Sequence, residues 1–363
     1  MRALYLLGIF AFLLLGGLQA AYGPAFDAFA ARFHVSREDV GVIASAHFLG
    51  TMLGVLLGGV LLARFHARRS LRLGGGVMAL ALIGVTVAPT WGVAVACALT
   101  AGVGFGVASA TLNVSFARAP GAASALNLVN AFFGLGSVVA PLLVSALLGT
   151  AGTFTMLAVM SAALALGAFL LPDLKDAPVS VPGRTMRRYV ALFLLMFVLY
   201  VGVEAGVGAW MTAHLTDRGI PNAAAWTSGF WLALTFGRLA GSAVAARVPL
   251  AALVAGAAIV SALGLALTVT EAAPVAYLLT GFALAPIFPT SFAWFGRSVP
   301  ARLAPLGLAS GGVGGTLYPA LLGRVGNAYG MDAIPLVLAA TVLATAALAV
   351  TLQRLMRTRE PLA

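Results

Sequence analysis

The chain has 363 residues, 61% of them hydrophobic and only 9% charged, with a mean hydropathy of +1.05. A water-soluble domain carries about a quarter charged residues, so this composition excludes an ordinary soluble enzyme and demands lipid around most of the surface. The formal charge of +11 raises nucleic acid as a partner, a reading that the placement of the basic residues then removes.

In lipid every backbone N–H and C=O must be bonded internally, which leaves helices or a closed barrel. Barrel strands alternate apolar and polar residues, whereas this chain shows unbroken apolar runs of about 20, the length that crosses a bilayer as helix. Breaks at charges, Pro and Gly predict twelve spans: 4–30, 40–63, 72–90, 92–117, 122–147, 151–172, 189–215, 223–247, 250–270, 274–296, 303–329 and 333–353. Met1-Arg2 and the apolar stretch to Ala21 have the outline of a secretory signal, but equally apolar segments follow all along the chain, so this is read as the first span. Cys97 is the single cysteine, which leaves no disulfide framework. The longest polar connection, 173–188, separates an N-terminal half, 1–172, from a C-terminal half, 189–363.

Cytoplasmic loops retain Lys and Arg. With both termini in the cytoplasm, that side receives sixteen basic residues and the outer side four (Arg32, Arg37, Arg218, Arg324), leaving Arg238 inside a span. The basic excess is thus a topology signal, and it points to a multi-pass protein of the bacterial cytoplasmic membrane without nucleic-acid partners.

The halves resemble each other. Ala101 to Arg118 aligns without gaps on Thr280 to Arg297, Gly134 to Pro141 on Gly312 to Pro319, and Phe48 to Arg64 on Trp231 to Arg247, at offsets of 179, 178 and 183. Three matches near one spacing predict an all-α membrane protein of two six-helix halves in parallel duplication, with the solute site between them near the bilayer midplane.

Of the ten acidic residues, Glu204 alone sits well inside a span. It lies about 22 Å along its helix, where a carboxylate must be protonated, hydrogen-bonded or ion-paired. Two roles are open to it: binding substrate or a coupling ion, or tying down a neighbouring helix. Arg238, nearer the cytoplasm by roughly 10 Å, either braces the cytoplasmic gate and snorkels, or pairs with Glu204 if helix offsets bridge that depth. The polar and aromatic residues Gln19, Tyr22, His47, Asn113, Asn127, Asn130, Trp231 and Trp294 complete a candidate site, joined by Trp210 and Trp226. Amides within a bilayer bond either a neighbouring helix or a ligand. As a set, amides and indoles with few charges suit a neutral polyhydroxylated ligand. The glycines of GVGFG at Gly102 lie inside an apolar span, which rules out a dinucleotide loop, and the chain shows neither a Walker-type loop nor histidines at metal-ligand spacing.

The stretches LNLVNAFFGLGSVVAPLL (Leu126 to Leu143), LYVGVEAGVGAWM (Leu199 to Met211), FWLALTFGRLAG (Phe230 to Gly241) and APIFPT (Ala285 to Thr290) together resemble the fucose permease and glucose/mannose symporter branch of the major facilitator superfamily. GGVLLARFHARR resembles that superfamily's loop motif at Gly58, Arg64, Arg68 and Arg69, with Ala63 and His66 departing from it, which implies gating for the three arginines beside the gate-bracing read from depth for Arg238. The resemblance implies uptake of a hexose or related sugar, coupled to H+ or Na+ and without other cofactors, by a monomer working through alternating access. Asn127 and Asn113 match asparagines of the fucose permease pattern. The acids which that pattern has in spans one and four are missing, so coupling falls on Glu204. The alternative is a proton-coupled exporter of drugs or metabolites on the same fold.

Overall fold

The computed structural model describes residues 2–117, 122–171, 187–245, 247–298 and 304–357. The linker expected at 173–188 lies almost wholly outside these residues. The helices are α1 Arg2–Ala21, α2 Phe26–Phe33, α3 Arg37–Val40, α4 Val42–Arg64, α5 Ala67–Val87, α6 Trp91–Ala117, α7 Ala122–Leu142, α8 Gly149–Gly167, α9 Arg187–Asp217, α10 Ala223–Ala245, α11 Leu250–Leu267, α12 Ala273–Leu284, α13 Ile287–Ser298, α14 Ala304–Tyr329 and α15 Ala333–Arg357. Among the described residues there is no strand.

Among the described residues, ten helical segments are long and apolar enough to cross a membrane. α10 and α14, where two further spans are expected, have 23 and 26 residues and are not among the ten. Three expected spans are broken. The first stops at Ala21, where Gly23 and Pro24 tighten the chain into a 3-10 turn that redirects it into α2. The fifth passes through Pro141 into a π-turn over Leu143–Leu147. The tenth breaks between Leu284 and Ile287, at Ala285 and Pro286, because proline lacks the N–H that a continuous helix needs.

Without a water-driven hydrophobic force inside lipid, helices associate by close packing of small residues. α4 and α6 show this reciprocally. A methyl group on Gly50 or Gly54 would strike the Leu99 or Val103 carbonyl, and one on Gly102 or Gly106 would strike that of His47 or Thr51. α1 and α7 meet in the same way, Gly16 at the Phe133 carbonyl and Gly136 at that of Leu13. Neighbour relations recur along the chain: α1 packs on α7 as α9 does on α14, α4 on α6 as α10 on α12, and α5 on α8 as α11 on α15.

The helices before residue 172 meet those after 186 chiefly through α4 against α14 and α7 against α10. Here side chains intervene: Met52 and Phe48 fill the space at Gly312 and Gly315, and Thr235 that at Gly134. Among the described residues, the polar bonds between the two groups gather at one end. Arg37 Nη1 donates to Asp217 Oδ1 at 2.8 Å, Asn327 Nδ2 to Glu38 Oε2 at 3.0 Å, and the main-chain N–H of Ala320 to Ser45 Oγ at 3.0 Å. Arg324 adds a longer contact to Glu38 at 3.9 Å.

Candidate functional site

Tyr200, Glu204 and Gly208 recur every fourth residue on α9 and therefore share one face. α10 presents Ser228, Trp231, Thr235 and Arg238 at spacings of three and four, also one face. The two faces meet. Arg238 Nη2 donates to Glu204 Oε1 at 3.3 Å, with the Glu204 side chain 11% exposed and that of Arg238 30%. The ring of Trp231 covers Gly208. Tyr200 is buried beside both charges.

A carboxylate taken from water loses solvation that only a counter-charge and hydrogen bonds restore, and Arg238 supplies both to Glu204. The pairing settles the depth question: the long arginine side chain spans the offset between the two helices. On the α10 face, Trp231 Nε1 and Ser228 Oγ are buried without a hydrogen-bond partner among the described residues, while the Tyr200 hydroxyl lies beside Glu204 and Arg238. Leaving such a group unmet costs about 1–3 kcal/mol. In the helices before residue 172, His47 Nδ1 lies 3.4 Å from Tyr22 Oη, its ring meets Phe105 edge-on at 5.3 Å, and the imidazole is buried beside the Ala98 backbone. Gln19 is half-buried and makes no hydrogen bond among the described residues.

The other candidates are placed differently. Asn113 Nδ2 donates to the Ser109 carbonyl at 2.9 Å and Asn130 Nδ2 to that of Leu126 at 2.8 Å, so each amide is partly spent on its own helix. The side chain of Asn127 lies outside the described residues. Trp294 meets Phe193 edge-on at 5.1 Å within an aromatic cluster that includes Phe197, Phe292 and Phe295. Trp210 donates to the Pro319 carbonyl at 2.9 Å. Of the gating arginines, Arg64 and Arg69 are exposed. Arg68 donates from Nε and Nη2 to the Leu171 carbonyl at 2.8 and 2.6 Å, and Arg72 lies 3.8 Å over the Phe169 ring, so together they staple α5 to the turn after α8.

Two features escaped the sequence reading. Tyr200 stands one turn before Glu204, a spacing that helical periodicity exposes. A second polar network lies near the ends of α9 and α14: Asp332 Oδ1 is 2.9 Å from His214 Nε2 and accepts from Arg218 Nη1 at 3.0 Å, while His214 Nδ1 is 3.1 Å from Tyr277 Oη. Partial burial pushes the Asp332 carboxyl up, but the hydrogen bonds from His214 and Arg218 outweigh it and hold the group below the usual range.

A family model described as Major Facilitator Superfamily matches residues 8–310. No curated protein matches the chain. Among solved structures, the chain is similar to a mutant form of the nucleoside transporter NupG, at 15% identity and a TM-score of 0.79, covering 97% of this chain and 99% of that one. It is similar to a second NupG structure at 14% identity and a TM-score of 0.76, with 97% and 98% covered.

Proposed function

We propose that this chain, which belongs to the Major Facilitator Superfamily of transporters, carries a neutral, hydroxyl-rich solute by cation-coupled alternating access. The Glu204–Arg238 pair carries the reading. These are the only ionisable charges well inside the expected spans, and each neutralises the other. What remains for a ligand is a neutral set of hydroxyl, indole and imidazole groups (Tyr200, Ser228, Trp231, His47). Hydroxyls both donate and accept, so they satisfy such a mixed set, whereas an anion would have to compete with Glu204 for Arg238. A hexose or related sugar fits, as does a nucleoside, the solute of the structurally similar nucleoside transporter NupG.

The reading keeps twelve spans in two halves, with both termini in the cytoplasm of a bacterium. Contact geometry supports the duplication. Gly134 meets Thr235 and Gly312 meets Met52; these are equivalent pairs under the 178 and 183 offsets. Under that topology the polar bonds at Glu38 and Asp217 close the outer end. For coupling, a proton on Glu204 removes its charge and releases Arg238, so proton binding and rearrangement of the α9–α10 contact occur together. Sodium at the carboxylate would have the same effect.

The test is uptake of D-glucose and of uridine into proteoliposomes under an imposed pH or sodium gradient, comparing wild type with Glu204→Gln. Wild type is expected to accumulate one of these solutes and the variant to retain exchange without accumulation. Gradient-driven accumulation that survives in the variant places coupling elsewhere.

A further inference from the structure

The backbone contacts reveal a symmetry relation between α1 and α9 that no sequence alignment supplied. A methyl on Gly136 of α7 would strike the Leu13 carbonyl and press on Gly17 N, and one on Gly314 of α14 would strike the Val198 carbonyl and press on Gly202 N. Gly136 and Gly314 are mates under the 178-residue offset that relates Gly134 to Gly312. Leu13 therefore corresponds to Val198 and Gly17 to Gly202, both 185 residues apart. The same step carries Gln19 to Glu204 and Gly23 to Gly208.

The last pair fixes the axis. Gly23 packs directly against the Gly208 carbonyl, so a residue touches its own symmetry mate, which happens only on the pseudo-twofold axis. α1 and α9 also run in the same direction, since the chain beyond α1 and the end of α9 meet through Arg37 and Asp217. Gln19 and Glu204 each precede the axial contact by four residues, about 6 Å along a helix. They flank the axis at one depth, one from each half. Glu204 has Arg238 as its partner. The position equivalent to Arg238 under the 183 offset is Val55, which cannot bond, and the Gln19 amide has no hydrogen bond among the described residues.

We propose that Gln19 is the first-half jaw of the solute site, opposing Glu204 across the axis, so that one polyol is held by both halves at once. The inference rests on the transporter reading above. The amide offers a donor and an acceptor, which matches a hydroxyl or a vicinal diol, and its neutrality keeps the site free of net charge. It makes Gln19 a determinant of selectivity for neutral solutes.

The test is equilibrium binding of D-glucose and of uridine to the full chain in detergent. Wild type that binds neither overturns the neutral, hydroxyl-rich solute reading and this inference with it. Given binding by wild type, Gln19→Met, which keeps the volume and removes the amide, is expected to weaken it by about tenfold or more, the scale of one lost hydrogen bond. Unchanged affinity in a folded Met variant overturns the inference alone. Gln19→Glu serves if the Met variant does not fold. The ionised Glu side chain lacks the amide's N–H donor, so affinity falls at neutral pH and recovers towards wild type as acid protonates it. A constant ratio to wild type across that pH range also overturns the proposal.

Discussion

The Glu204–Arg238 contact lends itself to a double-mutant cycle. At 3.3 Å, and with an effective dielectric constant of about 20, the gross attraction is about 5 kcal/mol. Desolvation of both groups offsets much of this, and the 30% exposure of Arg238 screens more, leaving an expected coupling of about 1–3 kcal/mol. Glu204→Gln strands a cation and Arg238→Gln strands a carboxylate, so each single change is expected to cost more than its half of the interaction. The double change removes both charges and should recover about 1–3 kcal/mol relative to the sum. Unfolding in detergent micelles, followed by circular dichroism at fixed pH, measures all four corners. Losses that add within about 0.5 kcal/mol, the usual range for independent sites, would refute the pair as an energetic unit and with it the release step assigned to protonation.

Other outcomes follow from the packing. Asp332→Asn should destabilise the protein near neutral pH. The folded carboxyl titrates below its ordinary value of 3.8, so its contribution is present above that pH and lost as acid protonates it; the difference between variant and wild type should close below about pH 4 in acid-unfolding curves. Gly314→Ala should be strongly destabilising because the Val198 carbonyl occupies the space, whereas Gly59→Ala, with nothing within 4 Å, should be neutral or stabilising by up to about 1 kcal/mol; equal melting temperatures would contradict the contact. Arg68→Ala should cost about 1–3 kcal/mol by stranding the Leu171 carbonyl, and Arg68→Lys should recover only part of it in the same melting assay, since an ammonium group cannot reproduce the two-pronged donation.

The apolar runs made the helical fold legible, because lipid leaves the backbone few choices. The ends of elements were harder to read. Pro24 turned an expected continuous span into α1 and α2, and Pro286 split another, since a hydropathy window averages over a single missing N–H. Glu204 stood out as an acid surrounded by apolar residues and Arg238 as the basic residue inside a span, but whether the two pair was left open. Counting residues along two helices gives depth on the assumption of equal starting levels, and it ignores the reach of an arginine. Nor does composition reveal that the amides of Asn113 and Asn130 turn back on their own helices, a choice made by local geometry.

The bond from Ala320 to Ser45 makes closure at the Glu38 end a matter of water activity. Any separation of α4 from α14 there uncovers the part-buried main-chain amide of Ala320 and the Ser45 hydroxyl, which take up water that the present arrangement excludes. The two forms therefore differ in hydration number. Osmolytes that are shut out of the newly opened crevice should favour the arrangement seen here in proportion to their concentration, so sucrose or trimethylamine N-oxide becomes a dial on that separation.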